Sequence, residues 1–281
     1  MYRMYKFEKR LLRVGVYLLL ICGVVVTGMP FVWEFSSSLK LNSEIFSYPL
    51  TLIPRNFTFS NYVRLVSGEQ IPFLRQLLNS CIVSASFTAL ALFICSMVGY
   101  GFAKFQFCLK GPLFIMVLIT MMVPQQVLLV PLFLLMNRFY WLNTYLAVTI
   151  PGAFNAFGVF FMRQIMVSIP DELIDSARID GASEFGIYWK IVLPLSSTGM
   201  AVLAIILFLT SWNDYLWPLI ALRTEEMFTL PVGLATLLGL YKVEYGMIMA
   251  GGFLATLPVI ALFISRHRQF ITGMTSGAFK F

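Results

Sequence analysis

The chain has 281 residues, of which 59% are hydrophobic and only 12% are charged, and its mean hydropathy is +0.84. Soluble domains carry roughly 25% charged residues, so this composition excludes an ordinary water-soluble domain. The net charge of +7 is compatible with nucleic-acid binding, but the basic residues lie at the ends of apolar runs, which is typical of membrane topology and argues against a nucleic-acid partner.

Six uncharged runs of 20 to 28 residues divide the chain. A helix rises about 1.5 Å per residue and must cross roughly 30 Å of hydrocarbon, so about 20 residues suffice to span a bilayer. We therefore predict an all-α membrane protein with six transmembrane helices. The runs cover residues 14–33, 76–103, 111–137, 139–162, 191–213 and 245–265.

The distribution of basic residues predicts the orientation of these helices. Thirteen of the 20 Lys and Arg residues lie in the N-terminal segment, the 2–3 and 4–5 connections and the C-terminal tail. Because Lys and Arg are enriched in cytoplasmic loops, both termini are predicted to be cytoplasmic. The first run has a basic start, but it is longer than the apolar region of about 7–15 residues in a secretory signal, so we expect a retained helix.

The third run contains Pro124, followed at once by Gln125 and Gln126. Proline lacks an amide donor, so a kink is expected there. Two amide side chains at membrane depth are costly unless they face protein or a wet cavity. They are therefore predicted either to line a translocation path or to form hydrogen bonds between helices.

The fifth run ends with Asn213 and Asp214, which stand among Trp and Tyr residues. Asp214 lies 20 residues after Pro194, or about 30 Å along a helix, which predicts a position at the outer membrane boundary. The aromatic residues fit a membrane-interface belt, and the same combination of rings and polar groups is used by surfaces that contact sugars. We predict an outer-mouth residue of the translocation path rather than a buried proton carrier.

Residues 168–194 form a charged segment between two apolar runs and contain five of the 13 acidic residues. Such a segment must lie in water, at the cytoplasmic face by the charge distribution. Ser168 is predicted to cap a first short helix, and Gly181 is placed to end it. A second helical segment is expected from Ser183-Glu184, with Phe185, Tyr188 and Trp189 on one side.

No motif for catalysis or for a cofactor is visible. There is no phosphate-binding loop of the G-x-x-x-x-G-K-[ST] type, no H-E-x-x-H and no G-x-S-x-G, and the four cysteines show no paired spacing. We therefore predict neither a metal site nor a cofactor in this chain. The chain also shows no means of energising transport by itself.

The charged segment resembles the EAA signature of bacterial ABC-importer permeases, E-A-A-x3-G-x9-I-x-L-P. Here Asp175-Ser176-Ala177 precedes Gly181 by three residues, and Ile191-Val192-Leu193-Pro194 follows after nine, so only the first two positions depart. Further stretches resemble carbohydrate permeases of the maltose-transporter second-subunit type, and together they span nearly the whole chain. They are residues 61–62, 121–133 (MMVPQQVLLVPLF), 142–144, 212–219 (WNDYLWPL) and 273–280 (GMTSGAFK).

The resemblance implies a type I ABC importer permease fold with a cytoplasmic coupling helix between helices 4 and 5. It implies a core domain over residues 76–265, preceded by residues 1–75 and followed by a cytoplasmic tail, 266–281. The implied ATPase-docking residues are Asp175, Ala177, Gly181, Ala182, Glu184 and Phe185, and Thr275, Gly277 and Lys280 are candidate tail contacts.

The same resemblance implies the partners and the location of a non-catalytic subunit in the bacterial inner membrane. The partners are a second permease, an ATPase dimer that binds ATP and Mg, an external sugar-binding protein, a sugar and membrane lipid. The alternative is a self-sufficient carrier or channel, which requires a charge relay or polar filter that the sequence does not show. An integral-membrane enzyme is a third alternative, but this sequence lacks the clustered His, Cys or carboxylate groups at membrane depth that such an enzyme would need.

Overall fold

A computed structural model describes the backbone of residues 2–239 and 243–278 and the side chains of residues 12–239 and 243–265. Helices account for all the regular structure in the described residues. In chain order they are α1 (Tyr2–Ser38), α2 (Asn42–Ile45), α3 (Ser60–Val66), α4 (Phe73–Lys104), α5 (Lys110–Thr120), α6 (Gln125–Arg138), α7 (Tyr145–Thr149), α8 (Ala156–Val167), α9 (Asp171–Ile179), α10 (Glu184–Ile187), a π-helical turn (Tyr188–Val192), α11 (Leu193–Leu195), α12 (Ser197–Trp212), α13 (Leu216–Ala221), α14 (Leu230–Thr236) and α15 (Tyr245–Ala278).

Three helical stretches in the described residues are long and apolar enough to cross a membrane by themselves: Leu12–Ser38, Phe73–Lys104 and Tyr245–Ser265. Two bent pairs of helices bring the total to five if each pair is one span. These pairs are Lys110–Thr120 with Gln125–Arg138, and Glu184–Leu195 with Ser197–Trp212. The all-helical membrane architecture agrees with the prediction, and the exact count of six stays a prediction.

The fourth predicted run, 139–162, is not one continuous helix. It contains α7 and the start of α8, and the Pro151-Gly152 pair lies between them. Proline has no amide hydrogen to continue the helical hydrogen-bond pattern, so α7 stops before Pro151. The Asn155 side chain then begins α8, because it accepts a hydrogen bond of 2.8 Å from the Gly158 amide.

The third predicted run is broken at Pro124 rather than kinked. Helix α5 ends at Thr120 and α6 begins at Gln125, and the two axes differ by 97°. Pro124 has an extended backbone, with ψ at 132°, so it separates the helices instead of continuing them. This break directs the first turn of α6 away from the line of α5.

By its internal contacts the chain divides into two compact units, Met1–Ile71 with Leu234–Thr256 and Pro72–Gly233 with Leu257–Phe281. In the first unit, the buried Asn61 amide donates hydrogen bonds to the carbonyls of Ser38 and Lys40, at 2.9 and 2.8 Å. The guanidinium of Arg64 pairs with the Glu244 carboxylate at 3.1 Å. These contacts tie residues 38–64 to the segment that precedes α15.

The core of the second unit forms where α4 packs against α8 and α12. A Cβ added at Gly99 would lie only 2.8 Å from Cβ of Met162, so this small residue allows α4 and α8 to approach closely. The same cluster of buried side chains continues into residues 168–194 through Ile174 and Ile187. The charged segment is therefore attached to the membrane helices by an apolar inner side.

Candidate functional site

The charged segment, residues 168–194, begins differently from the prediction. Ser168 ends α8, and its hydroxyl donates to the Ile165 carbonyl at 2.7 Å. Pro170, with ψ at 134°, then separates the helices, and α9 starts at Asp171 without a side-chain cap. The predicted N-cap role of Ser168 is wrong, because its hydroxyl is already engaged with the preceding turn.

Gly181 ends α9 as its position in the sequence predicted. Its φ of +80° lies in the left-handed region, which glycine adopts without strain. The Ala182 amide donates to the Ala177 carbonyl and the Gly181 amide to the Arg178 carbonyl, both at 3.0 Å, which is the Schellman pattern. A Cβ at Gly181 would meet no other atom within 4 Å, so the outer side of this turn is open.

Arg178 joins the two sides of the turn at Gly181. Its guanidinium lies 2.7 Å from the Glu184 carboxylate and 3.0 Å from that of Asp175. The hydrogen bond from Arg178 to Glu184 is the main cause that raises the pKa of Arg178 further above its ordinary value. Glu184 also accepts a hydrogen bond of 3.1 Å from the Tyr100 hydroxyl. The turn is thereby connected to α4.

Lys104, at the end of α4, holds the beginning of α9. Its ammonium group donates to the Ile169 carbonyl and lies 2.6 Å from the Asp171 carboxylate. The Lys104 side chain is 4% exposed, whereas that of Asp171 is 76% exposed. The hydrogen bond from Lys104 lowers the pKa of Asp171 below its ordinary value, so the carboxylate is ionised at neutral pH.

The outer side of the segment is exposed and partly aromatic. Phe185 and Trp189 stack with ring centroids 6.2 Å apart, and Phe185 is 60% exposed. Tyr188, predicted on the same side, is instead buried, and its hydroxyl lies 2.7 Å from that of Ser96. It precedes Trp189 by one residue, so its side chain lies on a different face of the helix.

Most of the predicted docking residues are exposed. Ala177 is partly buried against the core, and the others are exposed: Asp175, Gly181, Ala182, Glu184 and Phe185. The tail candidates are not placed in the same way. Thr275 and Gly277 lie in the part of α15 for which only the backbone is described, and Lys280 lies outside the described residues.

The four predicted pathway residues come together in one cavity of about 290 Å³ in the second unit. Gln125 and Gln126 reach it from the first turn of α6, together with Leu129, and Asn213 and Asp214 reach it from the end of α12. Residues 215–217 complete the lining. We call this space the amide cavity. Within the described residues, neither glutamine amide has a hydrogen-bond partner.

The α12–α13 side of the amide cavity is held by its own polar contacts. The Asn213 amide donates to the Leu209 carbonyl at 2.9 Å, and the buried Trp217 indole donates to the Ala147 carbonyl at 2.9 Å. Asp214 is half-buried, and its carboxylate accepts a long contact of 3.5 Å from the Trp217 amide. The lining thus offers donors and acceptors that are fixed by the fold.

A buried polar network at the start of α4 was not predicted. The Asn79 amide donates to the carbonyls of Glu226 and Phe228, at 2.8 and 2.9 Å, and its oxygen accepts from the Tyr145 hydroxyl at 2.7 Å. Gln76 and Ser80 bind the same 225–230 stretch. The i, i+3, i+4 spacing of these three polar residues on one helical face could have revealed the network.

An all-helical membrane chain with an exposed, charged connecting segment and a polar cavity is typical of the transport permease class. A family model described as a binding-protein-dependent transport system inner membrane component matches residues 91–269. The chain belongs to this family. Membership makes it a transport permease and favours the importer interpretation over a self-sufficient carrier, channel or enzyme.

Curated relatives are similar over most of their length. The arabinooligosaccharides transport system permease protein AraQ of Bacillus subtilis (strain 168) is 42% identical, with 86% of this chain and 87% of that protein covered. The lactose transport system permease protein LacG of Rhizobium radiobacter is 33% identical, with 95% and 96% covered. The sn-glycerol-3-phosphate transport system permease protein UgpE of Escherichia coli O1:K1 / APEC is 31% identical, with 91% and 93% covered.

A solved structure supports the fold. One chain of a bacterial ABC transporter involved in the import of the acidic polysaccharide alginate superposes with a TM-score of 0.83, at 23% sequence identity. The match covers 94% of this chain and 98% of that chain. The chain therefore has the ABC importer permease fold.

Proposed function

We propose that this chain is one of two permease subunits of an ATP-driven importer that moves a sugar or sugar derivative across the bacterial inner membrane. Support for the substrate class comes from the relatives, which are named for arabinooligosaccharides, lactose and sn-glycerol-3-phosphate. The first of these is the most similar of the three, so an oligosaccharide is the substrate we favour. An external binding protein would deliver it, as the family description indicates.

We propose six spans, with α7 and α8 together forming the fourth, and both termini in the cytoplasm. The excess of Lys and Arg in the corresponding connections supports this orientation. Residues 76–265 would form the core domain, after a first span and external segment in residues 1–75 and before a cytoplasmic tail in residues 266–281.

Residues 168–194 would be the coupling segment that docks on a separate ATPase dimer, which supplies ATP and Mg binding. The observation that carries this proposal is the two-sided character of the segment. Ile174 and Ile187 are buried in the core, while Gly181 and Phe185 are exposed. A push on the exposed side would therefore reach α4 through the buried side.

Movement of α4 would reach the rest of the second unit because α4 packs against α8 and α12. The end of α12 carries Asn213 and Asp214, which line the amide cavity. We propose that the amide cavity is part of the translocation path and that the tail residues Thr275, Gly277 and Lys280 form a second ATPase contact. The second permease subunit would close the path on its other side.

The docking role can be tested with Gly181→Asp in the assembled transporter. The substitution adds a charged side chain to an open turn, so we expect loss of ATPase co-purification and of ATP-dependent uptake of arabinotriose into proteoliposomes. Membrane insertion should persist, because a Cβ at this position would meet no atom within 4 Å, and the backbone strain at its positive φ is shared by the control described next.

Gly68→Asp is the matched control. Gly68 also has a positive φ, of +74°, but it lies in the first unit, so its replacement should leave ATPase association intact. Normal ATPase association and uptake with Gly181→Asp would contradict the docking role. Uptake by this chain without any ATPase would contradict the importer proposal itself.

A further inference from the structure

The amide cavity has one formal charge. Of the described residues that line it, Asp214 alone is a carboxylate or a base. The remaining polar groups are the amides of Gln125, Gln126 and Asn213 and the phenol of Tyr215, which donate and accept hydrogen bonds. The preference of the amide cavity for positive, neutral or negative ligands therefore depends on a single side chain.

No basic side chain neutralises that charge within the described residues. The ion pairs found there involve Arg64, Lys104 and Arg178, and none of them includes Asp214. Its contact with the Trp217 amide is long, at 3.5 Å. The field of the carboxylate consequently acts on whatever occupies the cavity.

The size and lining of the cavity fit one part of a sugar. A volume of about 290 Å³ is at the lower end of the range for small-molecule sites, so the cavity would hold one unit of a longer chain. Amide groups donate to and accept from sugar hydroxyl groups, and a carboxylate accepts from several of them at once. Phosphate and carboxylate groups, in contrast, are repelled by Asp214.

We propose, building on the transport function proposed above, that Asp214 is the specificity-determining residue of the amide cavity. It favours neutral and cationic sugar derivatives over anionic ones. The relatives span this distinction, since arabinooligosaccharides and lactose are uncharged and sn-glycerol-3-phosphate is an anion. By its charge, the cavity in this chain is better suited to an uncharged sugar than to an anion.

The test compares three forms of one probe in proteoliposomes that contain the complete transporter. They are neutral arabinotriose, its anionic aldonic acid and its cationic 1-amino-1-deoxy alditol. The binding protein is the same in every assay, so the variant-to-wild-type ratio for each probe cancels its contribution. Asp214→Asn should raise the anionic-to-neutral uptake ratio roughly tenfold and lower the cationic-to-neutral ratio, as expected for loss of one unit charge near the ligand.

Asp214→Lys should shift both ratios further in the same directions. Glu225→Gln is the matched control, because Glu225 is an exposed carboxylate of the same unit that does not line the cavity, and it should leave both ratios unchanged. If neither the wild-type nor the variant transporter imports the aldonic acid, the same ratios are obtained from equilibrium binding of the three probes to the complex without binding protein.

Two outcomes overturn the proposal in distinguishable ways. Normal uptake of arabinotriose, with ratios that agree within twofold between wild type and Asp214→Asn, rejects the role of Asp214 and leaves the transport function standing. If wild-type transporter neither imports nor binds any of the three probes, the proposed oligosaccharide substrate is rejected, and the inference drawn from it fails as well.

Discussion

The two ends of α4 are held by different chemistry. At its start, Gln76, Asn79 and Ser80 are fully buried and form neutral hydrogen bonds with the 225–230 stretch. At its end, Tyr100 and Lys104 bind the acidic groups of Glu184 and Asp171, whose side chains are 45% and 76% exposed.

This difference predicts that the start of α4 is held more firmly by its polar contacts than the end of α4. A buried polar group that loses its partner costs about 1–3 kcal/mol, because no water replaces the bond. An ion pair contributes less, about 0–1 kcal/mol when both partners are exposed, since water solvates an exposed carboxylate when the pair separates. The polar contacts at the start of α4 are therefore expected to resist separation more strongly than those at its end, where the Asp171 and Glu184 carboxylates stay in contact with water.

The largest effect is expected from Asn79→Leu, which removes the centre of the buried network. Two carbonyls and the Tyr145 hydroxyl lose their partner, so the unfolding free energy should fall by about 3 kcal/mol or more. The measurement is thermal or denaturant unfolding of the purified transporter in detergent.

Asn137→Leu is the control for this change, since Asn137 is exposed and its side chain has no hydrogen bond in the described residues. It should alter stability by less than about 0.5 kcal/mol. Equal melting temperatures for the Asn79 and Asn137 variants would remove the distinction between the two ends.

A smaller effect is expected from Lys104→Met at the other end of α4. Methionine fills the space of the buried stem but removes the donor for Ile169 and the partner of Asp171. We expect a loss of about 1 kcal/mol, the typical net value of one hydrogen bond, and faster proteolysis near residues 168–172. A stability loss as large as that of Asn79→Leu would show that this end is equally fixed.

The smallest effect on stability is expected from Arg178→Glu, because this ion pair is largely solvated. Stability should change by less than about 1 kcal/mol, while coupled ATP hydrolysis falls several-fold, since the turn at Gly181 loses its link to Glu184. The double variant Arg178→Glu with Glu184→Arg restores opposite charges and should recover part of the coupling. No recovery in the double variant would mean that the individual side chains matter and the pair does not.

The sequence predicted the features that depend on neighbouring residues. Gly181 ends its helix because a left-handed residue is needed there, and α10 begins at Glu184, where a second helical segment was expected. The all-helical membrane class followed from hydropathy alone. The sequence prediction failed where two local effects competed, as at Ser168 and at the Pro151-Gly152 break.

The sequence by itself determined the membrane class, the family and the exposed charged segment, because composition, motif spacing and the positions of charged residues along the chain carry that information. Only the tertiary structure decided that Gln126 and Asp214, 88 residues apart in sequence, share a cavity. It also decided that Tyr188 is buried beside Ser96 and that Lys104 holds Asp171. Such pairings depend on the angle at a helix break and on how three helices pack, which no local pattern of residues specifies.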